Sequence, residues 1–139
     1  MNADCKGGMK MNTDEDKQSL NGITEQVIGC AYKVAKVLGC GFLEKVYENA
    51  LAIEMRRNGL HVKQQHPMEV FYDGESVGQY VADMSVNDRI LIELKAVKAF
   101  EDIHTAQCLN YLSATGLHLC LLINFGKPRV EIRRLVKDF

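Results

Sequence analysis

The stretch Arg89-Ile90-Leu91-Ile92-Glu93-Leu94-Lys95-Ala96-Val97 constrains the fold most, because it is a nearly continuous apolar run that carries two charges inside it. Its Ile, Leu and Val content is that of a strand at the centre of a sheet, covered on both faces. Side chains alternate along a strand, so Glu93 and Lys95 project to one face and Ile90, Ile92 and Leu94 to the other. An unpaired charge is costly to bury, so these two need a partner group or a cation. Two readings stand: a satisfied ion pair at a sheet end, or a metal site that does chemistry.

The elements around this strand follow from periodicity and turn signals. Ile23, Val27, Ala31, Val34 and Leu38 recur at helical spacing, with Asn21 as the expected N-cap and Gly39 as the stop. After Gly39-Cys40-Gly41, a second helix is expected with Leu43, Val46, Tyr47, Ala50, Leu51 and Met55 on its apolar face, closed by Asn58-Gly59. Strands are expected near Leu60 to Gln64, Met68 to Tyr72 and Ser76 to Ser85, with Asp73-Gly74 and Asn87-Asp88 as turns. A third helix runs from Ile103 to Thr115, its inward stripe including Leu109 and Leu112, and Gly116 stops it. Leu117 to Phe125 is a second buried strand, and Val130 to Val136 an edge strand beyond Gly126-Lys127-Pro128. Helix, helix, three or four strands, helix, two strands describes an α/β fold whose sheet mixes hairpins with a crossover.

Composition bounds the functional classes. With 139 residues, 47% hydrophobic and 25% charged, the chain is expected to form one domain over residues 20–139 behind a flexible tail, residues 1–19. Met9 or Met11 is an alternative start. No apolar run reaches the roughly 20 residues of a membrane span, and the polar N-terminus has no signal-peptide core. Five cysteines without a CxxC argue against a disulfide framework or a zinc knuckle, so reduced thiols in a cytoplasmic protein are expected. Seventeen basic against eighteen acidic residues argue against a large sequence-blind DNA-coating surface but leave room for a local basic patch beside an acidic metal site.

The chemistry gathers around the central strand. If Gln79 to Ser85 pairs with it as a hairpin, Asp83 approaches Glu93 and Lys95; alternation places Asp83 with Val81 and Ser85, and Tyr80, Ala82 and Met84 opposite. Two carboxylates so placed repel one another and raise a carboxylate pKa unless a divalent cation lies between them. Carboxylate oxygens with open water positions suit Mg²⁺ or Mn²⁺.

Asp83…Glu93-Leu94-Lys95 resembles the core motif of the PD-(D/E)XK nuclease superfamily, with Ala82 in place of the proline. Gly41-Phe42-Leu43-Glu44-Lys45-Val46-Tyr47 is similar to the G-x-x-E-x-x-Y signature of the GxxExxY protein family, though Gly-Cys-Gly stands where Gly-Pro-Gly is expected before Glu44. Gln107-Cys108-Leu109-Asn110-Tyr111 resembles the Q-x-x-x-Y helix motif of RecB-like nucleases. The three occur in the expected order across residues 20–139. The resemblance implies a restriction-endonuclease-like αβββαβ core, a mixed central sheet flanked by helices. It implies that Asp83, Glu93 and the Leu94 backbone carbonyl ligate Mg²⁺ or Mn²⁺, with Glu44 as the extra acid. It implies that Lys95 positions a water or a phosphate, and that Gln107 and Tyr111 hold substrate. The implied substrate is nucleic acid, DNA favoured over RNA.

Other residues carry weaker signals. His104 sits three residues before Gln107 and is read either as a substrate-phosphate contact or as a residue beside the helix cap. For Tyr47 a core role with a hydrogen-bonded hydroxyl is preferred. Cys108 and Cys120 read as core fillers, His118 as structural, and Arg133-Arg134 as protection for an edge strand. The cysteine spacing does not match a four-cysteine set, so no iron–sulfur cluster is expected. Three functions are ranked: a Mg²⁺- or Mn²⁺-dependent nuclease, a nuclease-fold module that binds nucleic acid or a protein partner without cutting, and a purely structural set of ion pairs. Near-neutral charge is compatible with a homodimer or with a protein partner.

Overall fold

The computed structural model describes residues 14–138, with side chains described from Ser19 onward. The elements are α1 (Asp14–Leu38), α2 (Glu44–Arg57), β1 (Val62–Tyr72), β2 (Glu75–Val86), β3 (Ile90–Lys95), α3 (Asp102–Thr115), β4 (Leu119–Asn124) and β5 (Glu131–Val136). The five strands form one sheet in the order β1-β2-β3-β4-β5. Pairings are antiparallel except β3–β4, which are parallel and joined through α3. This is the expected mixed α/β architecture. The hairpins are set by Asp73-Gly74 and Asn87-Asp88, where both residues of each pair have positive φ, the conformation that two-residue hairpin turns require.

The sheet carries a core on each face. On one, α1 and α2 pack Val27, Val34, Tyr47, Leu51 and Met55 against Ile90, Ile92 and Leu94 of β3 and Leu119, Leu121 and Ile123 of β4. On the other, α3 packs Cys108, Tyr111 and Leu112 against Leu91, Cys120 and Leu122. Every residue of β4 is buried, which explains the apolar run from Leu119 to Ile123. The opposite-face assignment along β3 holds, and it leaves Glu93 on the α3 side with Leu91.

Several expectations are corrected. The first helix begins at Asp14, so Asn21 lies inside it instead of capping it; residues 1–13 of the expected tail lie outside the described residues. The two short strands around Pro67 are one strand, β1. As the sheet's edge, β1 has ladder bonds on one side only, and an edge is where a proline is tolerated. Leu43 and Val46 are exposed, and the buried stripe of α2 is Tyr47, Glu48, Leu51, Ala52 and Met55. Leu109 faces solvent, and the inward stripe of α3 is Cys108, Tyr111 and Leu112.

Candidate active site

The ladder between β2 and β3 stops short. Val86, Ser85 and Met84 pair with Ile90, Leu91 and Ile92, but Asp83 and Glu93, next in register, do not pair. Their side chains take over the backbone bonds. The Leu94 N–H donates to Asp83 Oδ2 at 2.7 Å, and the Asp83 N–H donates to Glu93 Oε1 at 3.3 Å. Buried backbone groups must find partners, so the carboxylates both close the accounting and are held where the strands part.

The fault runs on into β1. There the pairing joins Gln64 to Met84 and His66 to Ala82 but skips Gln65 and Asp83, and Gln65 has φ +60°. Both strands change faces across it. Val62, Met84 and Val86 belong to the α1/α2 core, whereas Met68 and Ala82 belong to the α3 core. The single alternation expected through Tyr80, Ala82 and Met84 therefore breaks at Asp83, and this break turns the carboxylate toward β3.

Electrostatics follow the burial. Glu93 is only 6% exposed; burial, then the neighbouring Asp83 charge, push its carboxyl up to about 7, against the opposing pull of Lys95. Asp83 is raised in the same direction, first by burial, with the Leu94 N–H lowering it and Glu48 and Glu44 adding repulsion. Lys95 Nζ lies 3.7 Å from Glu93 Oε2 and is largely buried. The structure thus brings Asp83, Glu93 and Lys95 together on adjoining strands.

Glu44, the extra acid that the resemblance implies, does not join the carboxylate pair in the buried part of the fold. It opens α2 and is exposed, where its charge suits the helix N-terminus and reaches Asp83 and Glu93 as a repulsive field. The buried acid of α2 is Glu48, one turn on and 3% exposed. It accepts from Lys45 (3.1 Å), Gln64 (2.7 Å) and Gln65 (2.9 Å), so it ties α2 to the fault in β1. Its signal was present in the sequence: Glu48 stands three, four and seven residues before Leu51, Ala52 and Met55, an acid on the apolar stripe.

The turn before α2 explains the Gly41 and Tyr47 positions of its signature. Gly41 takes φ +113°, a conformation glycine adopts freely. The Tyr47 hydroxyl donates to the Gly39 carbonyl at 2.6 Å and accepts from the Phe42 N–H at 3.2 Å. Its ring stacks on Phe125, centroids 4.6 Å apart. Tyr47 is therefore a core residue that fixes where α2 begins, as expected for it.

On the α3 side, Tyr111 is buried and its hydroxyl is raised above the usual range, first by burial and then by the Glu93 and Asp83 charges. Gln107, one turn earlier, is half-buried. His104 caps α3: its Nδ1 accepts from the Glu101 N–H at 3.1 Å, which favours the cap-side reading of this residue. Beyond Lys95, the buried Asn124 clamps the chain through the Val97 N–H (3.0 Å) and C=O (2.9 Å). Asn124 has no role in the sequence reading, although a polar residue in an apolar run is the same signal that exposed Glu93.

The donor set fits a hard divalent cation. Asp83 and Glu93 each use one oxygen on a backbone N–H, and a carboxylate has acceptor capacity beyond that. The Leu94 carbonyl leaves the strand on the same side as its N–H, toward β2, where the ladder has ended. Among the described residues no three His, Cys, Asp or Glu side chains form a ready metal cage. Mg²⁺ does not need one, since it keeps waters and binds through one or two carboxylates plus substrate phosphate.

The family model of the PD-(D/E)XK nuclease superfamily matches residues 21–135. The chain belongs to this superfamily. Comparison with curated proteins finds no match. Among solved structures, that of SSO0001 superposes with a TM-score of 0.54 at 16% identity, over 88% of this chain and 61% of that one. An alkaline exonuclease from Laribacter hongkongensis, LHK-Exo, superposes with a TM-score of 0.50 at 15% identity, over 94% of this chain and 73% of that one. Both likenesses are of fold, and the chain spans about three-fifths of the length of SSO0001.

Proposed function

We propose that this chain is a divalent-metal-dependent nuclease that hydrolyses phosphodiester bonds, with DNA as its substrate. The observation that carries the reading is the strand fault: a buried carboxylate, Glu93, and a half-buried one, Asp83, displaced from a ladder, each bonded to the other strand's backbone, beside Lys95. Superfamily membership supports it.

Asp83, Glu93 and the Leu94 carbonyl would hold Mg²⁺ or Mn²⁺. Such a cation, when bound, supplies Lewis acidity toward the phosphoryl oxygens and acidifies an attacking water. The protein's own groups do the rest. Lys95 places an ammonium charge beside the carboxylate pair, where it offsets charge developing on the phosphate. Glu44, at the exposed start of α2, sits where an additional carboxylate can orient a water. Gln107 and Tyr111 face substrate from α3. His104 contributes by holding the helix start that positions them. The turn Gly41 to Tyr47 supports placement within the GxxExxY family, and the free thiols at Cys30, Cys40, Cys108 and Cys120 support a reducing, cytoplasmic setting. Among the described residues no helix is long and apolar enough to cross a membrane.

One observation favours the second reading, a nuclease-fold module that binds nucleic acid or a protein partner without cutting: among the described residues no third acid joins Asp83 and Glu93 as a ready metal ligand. Incubating the protein with labelled single- and double-stranded DNA and Mg²⁺ or Mn²⁺ decides between them. The nuclease reading expects metal-dependent cleavage that falls at least about a hundredfold in Asp83→Asn and in Lys95→Ala, the scale of losing a charge-stabilising group. Metal binding by calorimetry without turnover would favour the module.

A further inference from the structure

A groove of about 650 Å³ lies between α3 and the outer half of the β1–β2 hairpin, and Tyr111, which the Glu93 and Asp83 charges reach, forms part of its wall. We propose that this groove receives an unpaired nucleobase next to the cleaved phosphodiester, so that the substrate is a strand unpaired at that position. The proposal rests on the nuclease reading and deepens it.

Three features point to a base. The walls are apolar and aromatic, formed by Met68, Tyr80 and Tyr111, and the Tyr80 and Tyr111 rings are 6.4 Å apart, tilted by 49°. Tyr80 is 54% exposed, so its ring is open to a stacking partner. Base faces stack on such rings regardless of sequence. The polar groups of the lining include the Gln107 and Asn110 side-chain amides, each both donor and acceptor, as the edges of bases are. The charge in the lining is that of Glu69, which repels a phosphate, so the backbone must run outside the groove toward Lys95.

Continuity places the base beside the reaction. Tyr111 forms a wall of the groove and also feels the Glu93 and Asp83 charges, and Tyr80 precedes Asp83 by three residues on β2. A base within a duplex is stacked between its neighbours and cannot offer its face to a ring. An unpaired base can.

The test is fluorescence binding of short oligonucleotides carrying 2-aminopurine; the protein has no tryptophan to interfere. Metal-free protein is titrated with single strands, as DNA and as RNA, with the same strand carrying an abasic site in place of the probe's neighbour, and with blunt duplex. The proposal expects the single strand, in either chemistry, to bind at least about tenfold tighter than its abasic or duplex forms, with 2-aminopurine quenched. Tyr80→Ala removes that preference by about tenfold, and Tyr80→Phe retains it. Equal affinity for intact and abasic strands, or a Tyr80→Ala protein with unchanged preference, overturns the groove assignment while leaving the nuclease reading standing. Failure to bind any oligonucleotide, together with no metal-dependent cleavage, overturns both.

Discussion

At the scale of single residues, Glu93 is the most informative. Its ordinary value is 4.5 and the fold raises it to about 7. Below 4.5 the carboxyl is protonated whether folded or unfolded. Between 4.5 and about 7 the folded protein alone keeps the proton, so stability falls as pH rises through this window and levels off above it. Asp83 shifts in the same direction. Metal-free protein should therefore melt at a lower temperature at pH 8 than at pH 5. Glu93→Gln should flatten that dependence, and millimolar Mn²⁺ at pH 8 should restore the melting temperature of the wild type but not of the variant. Calorimetric melts across pH check each part. Much of the site was legible at this scale, because Glu93 and Lys95 interrupt an apolar run. Glu48 and Asn124 interrupt theirs in the same way, and neither has a role in the sequence reading.

At the scale of elements, two joints hold the site in place. The first is the Tyr47 hydroxyl between Gly39 and Phe42. Tyr47→Phe keeps the stack on Phe125 and removes both bonds, so it should cost about 1–2 kcal/mol in urea unfolding. The second is the close approach of the segments after β3 and β4. A Cβ at Gly126 would lie 2.4 Å from the Val97 N and O, backbone atoms that cannot step aside. Gly126→Ala should destabilise by about 1–3 kcal/mol and reduce any cleavage by shifting the segment that follows Lys95. Element identities and hairpin turns were readable because Asn87-Asp88 and Asp73-Gly74 announce themselves locally. The fault at Gln65 and Asp83 was not, because strand alternation assumes an unbroken ladder, and the break depends on Glu48 reaching over from α2. Leu109 was misassigned for a related reason: apolar residues on both sides of α3 leave the helical stripe ambiguous until the sheet selects Cys108, Tyr111 and Leu112.

At the scale of the whole molecule, the sheet supports α1 and α2 on one face and α3 on the other, and the site opens where β2 and β3 part between them. The net charge is −1, so under the proposed function binding to nucleic acid draws on a few cations, Lys95 beside Glu93 among them, and not on a general positive field. Affinity for single strands should then fall with salt at a log–log slope of only about −2, the release expected for roughly three phosphate contacts; titrations between 50 and 300 mM salt, on the order used for such slopes, measure it, and a much steeper slope would mean a basic surface elsewhere.

The central claim is that the opening between β2 and β3 exists to bind a divalent ion. Crystals soaked in Mn²⁺ and recorded near the manganese absorption edge test it directly. The account predicts an anomalous peak in contact with Asp83, Glu93 and the Leu94 carbonyl, lost in Asp83→Asn. Well-ordered crystals of active, metal-saturated protein with no peak there, or with manganese held by other residues, would contradict it.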